Sequence, residues 1–158
     1  MKATSTKKKS LGKAEVKENS FPVVAIGSSA GGLEAMMEFL KYLPSETGMA
    51  YIYVQHLSPD HKSLLTDILS KKTQMIVQEI DDMDLIQPDN LFIIPYNKGI
   101  EVTDGHIKLI PRSETSVAIS IDILFSSLAA AQKERVIGII LSGNASDGTL
   151  GMKAIKQE

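Results

Sequence analysis

The sequence predicts a three-layer α/β/α domain on a mostly parallel sheet. Three observations carry that expectation. Short, nearly continuous apolar runs alternate with stretches of helical period. The run at residues 136–141 is apolar throughout except for Gly138, the pattern of a central parallel strand covered on both faces. Three of the clearest runs are each followed by a polar loop of small residues, at the strand ends where such sheets place their ligands.

Taken in order, residues 1–20 have little apolar content and no sustained period, and read as a disordered basic tail or linker. The domain is expected over residues 21–158. Phe21-Pro22-Val23-Val24-Ala25-Ile26 is a buried-strand candidate bounded by Gly27. Leu33, Met36, Met37, Leu40 and Leu43 then follow helical spacing until Pro44 stops them. Tyr51-Ile52-Tyr53-Val54 is a second strand. Leu64, Leu65, Ile68 and Leu69 mark a second helix, with Asp60 as its cap.

Met75-Ile76-Val77 is a weaker strand, and Leu91-Phe92-Ile93-Ile94 a clearer one, ended by Pro95. Residues 100–102 and 106–110 flank Asp104-Gly105, a hairpin signal, and the hairpin is expected at an edge of the sheet. Ile121, Leu124, Phe125, Leu128 and Ala129 share one face of a third helix starting near Ser120. A last helix starts near Thr149 and still runs at Glu158, which predicts a domain truncated at its C-terminus.

The chain has 158 residues, 43% of them apolar and 23% charged, a globular balance. It has no cysteine, which excludes disulfides and thiolate zinc sites. No apolar run reaches the roughly 20 residues of a membrane helix, and no apolar signal core follows the N-terminal lysines. A cytoplasmic location without membrane insertion is the expectation. Residues 1–20 hold six lysines against two glutamates, whereas the rest holds 11 basic and 17 acidic side chains. A body that acidic is a poor nucleic-acid surface.

If the strands are parallel, three loops converge: residues 27–32, 55–61 and 142–148. The first, Gly27-Ser28-Ser29-Ala30-Gly31-Gly32, lacks the G-x-G-x-x-G of a dinucleotide site, and no acid ends the second strand. It also lacks the Gly-Lys-Ser/Thr of a P-loop. A serine nucleophile fits better, because a strand-to-helix turn exposes a hydroxyl beside free N–H groups. Ala30, Gly31 and Gly32 leave room for substrate. Spacing does not separate Ser28 from Ser29. His56, at the end of the second strand, is the candidate base. Asp147 reads as the carboxylate orienting that imidazole or as an N-cap of the last helix, and both roles hold only if its two oxygens are shared. His61 reads as a helix-start residue and His106 as a surface residue of the hairpin. His56, Asp60 and His61 lack the fixed spacing of a metal site, and no carboxylate pair suggests a glycosidase.

Together the three loops resemble the catalytic domain of the bacterial chemotaxis protein-glutamate methylesterases. Residues 27–33, 55–64 and 141–150 are most similar to that domain in hybrids of the methylesterase with the receptor methyltransferase. The resemblance spans residues 21–158. It implies Ser29 as nucleophile, His56 as base and Asp147 as orienting acid, with no cofactor and no metal. It implies hydrolysis of glutamate methyl esters, and in some members glutamine deamidation, on the cytoplasmic domains of chemoreceptors. A methyltransferase domain in the same full-length chain is the further partner implied. The chain departs from the family pattern at Ala30, where threonine is frequent, and at Asn144, where methionine is common. Ser116-Val117-Ala118-Ile119 replaces a basic stretch before Ser120-Ile121-Asp122. That substitution motivates the alternative, a non-catalytic domain that binds receptors or partners.

Overall fold

A computed structural model describes residues 20–56, 64–95, 98–111, 120–143 and 146–158. The tail expected over residues 1–20 lies, except for Ser20, outside the described residues, as do Asp60, His61, Asn144 and residues 116–119.

Five strands form a parallel sheet: β1 (Val23–Ser28), β2 (Ala50–Gln55), β3 (Ile76–Glu79), β5 (Asn90–Ile93) and β8 (Val136–Ser142). Their spatial order is β3-β5-β2-β1-β8. The alternating side chains of β1 and β2 sort the core into two clusters. Val24, Ile26, Tyr51 and Tyr53 pack with Met36 and Leu40 of α1 (Gly32–Tyr42) and with Leu65 and Leu69 of α2 (Leu65–Ser70). Val23, Ala25, Ile52 and Val54 pack on the other face against Leu124, Phe125 and Leu128 of α3 (Ser120–Gln132). The chain closes with α4 (Thr149–Gln157), which packs mainly on α3. The predicted α/β/α layering is the layering found.

Four expectations change. Within the described residues the run at residues 136–141 forms an edge strand: β8 pairs with β1 alone, and Ile137 and Ile140 are more than two-fifths exposed. The strands with a neighbour on each side are β5, β2 and β1, with β2 in the middle.

The hairpin β6 (Lys98–Thr103) and β7 (His106–Pro111) does not extend the main sheet. It joins β4 (Asp84–Leu85) in a separate antiparallel sheet of order β4-β7-β6. Asp104 and Gly105 have φ of 52° and 74°, the left-handed pair a two-residue hairpin turn requires. Ile100, Val102 and Ile107 seat this sheet on the α3 side of the core, and Ser127 Oγ of α3 accepts the Val102 N–H at 2.6 Å.

In α2, Leu65 and Leu69 carry the buried stripe, while Leu64 stands at the N-cap position, 63% exposed. Gly32 is not an open approach for substrate. It is buried, and a Cβ there would collide with the Ser28 side chain. Gly31 is exposed with φ 76°, so a left-handed turn at the start of α1 demands that glycine.

Candidate active site

Parallel topology carries the loops after β1, β2 and β8 to one end of the sheet, and the register fixes their heights. Ser28 pairs with Gln55 on β2 and with Ser142 on β8. The His56 N–H donates to the Ser28 carbonyl at 2.9 Å, and the Ser29 N–H to the Ser142 carbonyl at 3.0 Å. The residues that close these strands are thereby tied to one another.

His56 and Asp147 meet across 91 positions of sequence. Nε2 of the imidazole lies 2.6 Å from Oδ2 of the carboxylate. The Asp147 side chain is 1% exposed and that of His56 21% exposed. Asp147 also accepts two backbone N–H groups from the first turn of α3: Ile121 on Oδ2 at 2.9 Å and Asp122 on Oδ1 at 2.8 Å. Burial is the largest influence on this carboxyl and pushes its pKa up. The His56 bond and the two N–H groups together outweigh burial and hold it below the usual value of 3.8. Asp147 is therefore an ionised group at neutral pH, fixed at a helix N-terminus.

Asp147 does not cap α4, the helix it precedes; its two oxygens serve α3 and His56. The carboxylate at the start of α4 is Asp122 of α3, whose Oδ1 accepts the N–H groups of Gly148 at 3.0 Å and Gly151 at 2.6 Å. The two aspartates thus exchange helices, each satisfying the other's orphan donors. Glycines permit the close approach. A Cβ on Gly151 would meet Phe125 and Asp122, and one on Gly27 would meet Ile121. Sequence reasoning missed Asp122 as a site residue, although its place two residues after Ser120, at a helix start, signals a first-turn carboxylate.

Ser28 and Ser29 part company here. Ser28 is fully buried on the α1 face, where its Oγ lies 2.7 Å from the Tyr53 hydroxyl. Tyr53 in turn donates to Gln55 Oε1 at 3.2 Å. Ser29 is half-buried and lines a cavity of about 70 Å³ together with His56, Asp147, Ile121, Ser142 and Gly143. No hydrogen bond joins Ser29 Oγ to the imidazole among the described residues. Gly143 borders the same hydroxyl: a Cβ on it would run into Ser29 Oγ. A larger hollow of about 650 Å³ lies on the outer surface between α1 and α2, but its lining includes Glu34, Lys41, Lys71 and Lys72 and no histidine. Chemistry requiring a nucleophile beside a base belongs to the small cavity. His106 sits in the hairpin, its Nδ1 3.0 Å from the Asp104 carbonyl oxygen, away from this cluster.

The fold and this cavity define a class, an α/β/α domain that gathers a serine and a buried histidine–carboxylate pair at the carboxyl ends of parallel strands. The sequence model of the CheB methylesterase family matches residues 24–158, and the chain belongs to that family. It is 31% identical over 147 residues to the protein-glutamate methylesterase/protein-glutamine glutaminase of Desulfotalea psychrophila, covering 89% of this chain and 40% of that protein. The Escherichia coli K12 protein of the same description is 31% identical over 144 residues, covering 88% of this chain and 41% of its own length. The chain thus spans about two-fifths of the curated relatives it matches. The crystal structure of the Thermotoga maritima CheB methylesterase catalytic domain superposes with a TM-score of 0.76 at 26% identity, covering 87% of this chain and 76% of that one.

Proposed function

We propose that this domain hydrolyses methyl esters of glutamate side chains on the cytoplasmic domains of chemoreceptors, using Ser29, His56 and Asp147. The observation that carries the reading is the 2.6 Å contact between His56 Nε2 and the buried Asp147, in a cavity that Ser29 also lines. With Nε2 engaged by Asp147, Nδ1 is the nitrogen left to take a proton. Ser29 Oγ attacks the ester carbonyl as its proton passes to Nδ1, and the carboxylate balances the imidazolium. The bond to the methoxy oxygen breaks, Nδ1 returns the proton, and methanol leaves an acyl-serine. Water then attacks the acyl carbon with the same base, which frees the glutamate and Ser29. The Ser29 N–H is committed to Ser142 and the Gly32 N–H to the Ser29 carbonyl. The N–H groups of Ala30 and Gly31 have no partner among the described residues, which suits them to an oxyanion.

The same chemistry on a primary amide releases ammonia, so glutamine deamidation belongs to the proposal, in line with the glutaminase activity in the relatives' names. A methyltransferase domain in the same full-length chain and a cytoplasmic location complete it. Among the described residues no helix is long and apolar enough to cross a membrane. The test is methanol release from methylated receptor by the full-length protein and by Ser29→Ala. Loss of release in the variant supports the assignment. Equal rates overturn it, and receptor binding without turnover in either protein favours a binding domain instead.

A further inference from the structure

Ser142 closes β8, and a bulge decides what it touches. β1 and β8 keep register from Val23↔Val136 to Gly27↔Ile140, and then Ser28 faces Ser142, with Leu141 as the extra residue. Bulges redirect side chains and end pairing. In unbroken register Leu141 would stand opposite Ser28. With the bulge, Ser142 does so and bonds the nucleophile turn twice. Its carbonyl accepts the Ser29 N–H at 3.0 Å, and its Oγ donates to the Ala30 carbonyl at 2.9 Å. The two bonds bracket Ser29, one on its own amide and one on the carbonyl of the next residue.

The Ser28 carbonyl before the turn accepts the His56 N–H at 2.9 Å, but beyond that peptide Ser142 makes the described bonds that tie the turn to the sheet. Ala30 and Gly31 are exposed, so packing does not fix them. Gly31 has the wide conformational range of glycine. The other bond inside the turn, Gly32 N–H to the Ser29 carbonyl at 2.9 Å, joins the turn to itself and not to the sheet. The hydroxyl proton of Ser142 is committed to Ala30, so this side chain is not a donor to substrate.

We infer that Ser142 is a positioning residue that anchors the nucleophile turn to β8 and holds Ser29 Oγ toward His56. The inference rests on Ser29 being the nucleophile. Threonine keeps the hydroxyl and alanine removes it, while both keep the backbone bond to Ser29. Three proteins are compared in full length: wild type, Ser142→Ala and Ser142→Thr, with Ser29→Ala as the blank. The substrate is the methylated cytoplasmic domain of a chemoreceptor.

Removing the anchor is expected to lower kcat about tenfold with KM nearly unchanged, since small misplacements of a reacting atom are costly. The pH profile is expected to keep its shape, because the His56–Asp147 pair is untouched. Amide hydrogen exchange at Ser29 and Gly32 is expected to quicken in Ser142→Ala, and Ser142→Thr to restore both rate and protection. Unchanged exchange in Ser142→Ala overturns the inference whatever the rates. Faster exchange with unchanged kcat also overturns it, as does a lowered kcat that Ser142→Thr fails to restore. A wild type no faster than Ser29→Ala overturns the esterase reading itself, and with it the positioning role. That outcome is told apart from the others by the blank.

Discussion

The carboxyl ends of β1 and β2 carry a polar network on each face of the sheet, and the two networks differ in what they leave open. On the α3 face, His56 binds Asp147 through Nε2, and among the described residues its other ring nitrogen has no hydrogen bond, beside a cavity that Ser29 lines. On the α1 face, Ser28, Tyr53 and Gln55 form a chain in which Ser28 is sealed from solvent and its hydroxyl engaged. One residue of offset along each strand separates the two: Ser28 from Ser29, and Gln55 from His56. Strand alternation therefore assigns neighbouring, chemically identical serines to different work. A hydroxyl whose neighbours are a phenol and an amide has no base to activate it. A hydroxyl beside an imidazole held by a carboxylate does.

The sharpest way to break this contrast is to remove each serine in turn. Ser29→Ala is expected to lower methyl ester turnover by roughly 10⁵-fold or more, the scale of losing a nucleophile from a cooperative triad. Ser28→Ala is expected to change turnover less than about tenfold and to lower stability by about 1 kcal/mol, because the Tyr53 hydroxyl loses one buried bond and keeps the one to Gln55. Initial rates and urea unfolding of both variants give the comparison. Similar rate losses from both would erase the distinction between the faces.

Asp147→Asn is next in size. The amide keeps the shape but not the charge that balances the imidazolium, so turnover is expected to fall about 10⁴-fold. The carboxyl also titrates below its usual 3.8 in the folded chain. A depressed folded pKa means that its contribution to stability is present above the unfolded pKa. That contribution is lost as pH falls through the folded value, when the unfolded chain has already taken up the proton. As pH falls below the usual carboxylate value the wild type is therefore expected to lose stability more steeply than Asp147→Asn. Acid unfolding followed by circular dichroism tests this, and equal slopes would count against an ionised, bonded Asp147.

Much of this is legible in the sequence, and the gaps have physical reasons. Apolar runs and helical spacing disclose the α/β/α layers because burial on two faces writes itself into every residue of a strand. They do not disclose that β8 has one described neighbour, since pairing uses backbone groups that all residues share. Asp104-Gly105 announces a hairpin through its left-handed turn. The partner strand Asp84–Leu85 is too short to announce anything. His56 and Asp147 emerge from topology, because parallel strands deliver their loops to one end. The exchange of helix caps between Asp147 and Asp122 does not, because Asp147 caps a helix distant in sequence. Tyr53 held an unread signal. A hydroxyl in an otherwise apolar strand needs a buried partner, and that partner on the same face is Ser28, which leaves Ser29 for the other side.

Two glycines extend the contrast at smaller amplitude. Gly143 borders Ser29 Oγ, and its φ of 153° is one that L side chains rarely adopt. Gly143→Ala is expected to displace the hydroxyl and lower kcat/KM by roughly 10²-fold. Gly32 is buried against Ser28, so Gly32→Ala overpacks the α1 face and is expected to cost about 1–3 kcal/mol of stability. Steady-state kinetics and urea unfolding on both variants should give a crossed result, in which rate falls most for Gly143→Ala and stability most for Gly32→Ala.

The smallest effect is expected at Tyr53, and it probes the quiet face alone. Burial pushes this phenol up most, the Ser28 bond pulls it down, and the charge of Glu34 adds a push upward. Together they raise its pKa from 10.0 to about 12. An unfolded tyrosine ionises near 10, so the raised folded value contributes stability that is full below pH 10 and is lost as pH rises toward 12. An ultraviolet titration of phenolate should show Tyr51 and Tyr53 both ionising late, since burial pushes each of them up, and Tyr53→Phe should remove one of these late steps and no early one. The same variant is expected to cost about 1 kcal/mol, because the buried Ser28 hydroxyl loses its partner, and to leave turnover within about twofold. A large rate loss in Tyr53→Phe would mean that the two faces are coupled through the turn between Ser28 and Ser29, so that the buried phenol helps aim the nucleophile. An unshifted rate would leave the α1 face as the rigid backing against which the α3 face does its chemistry.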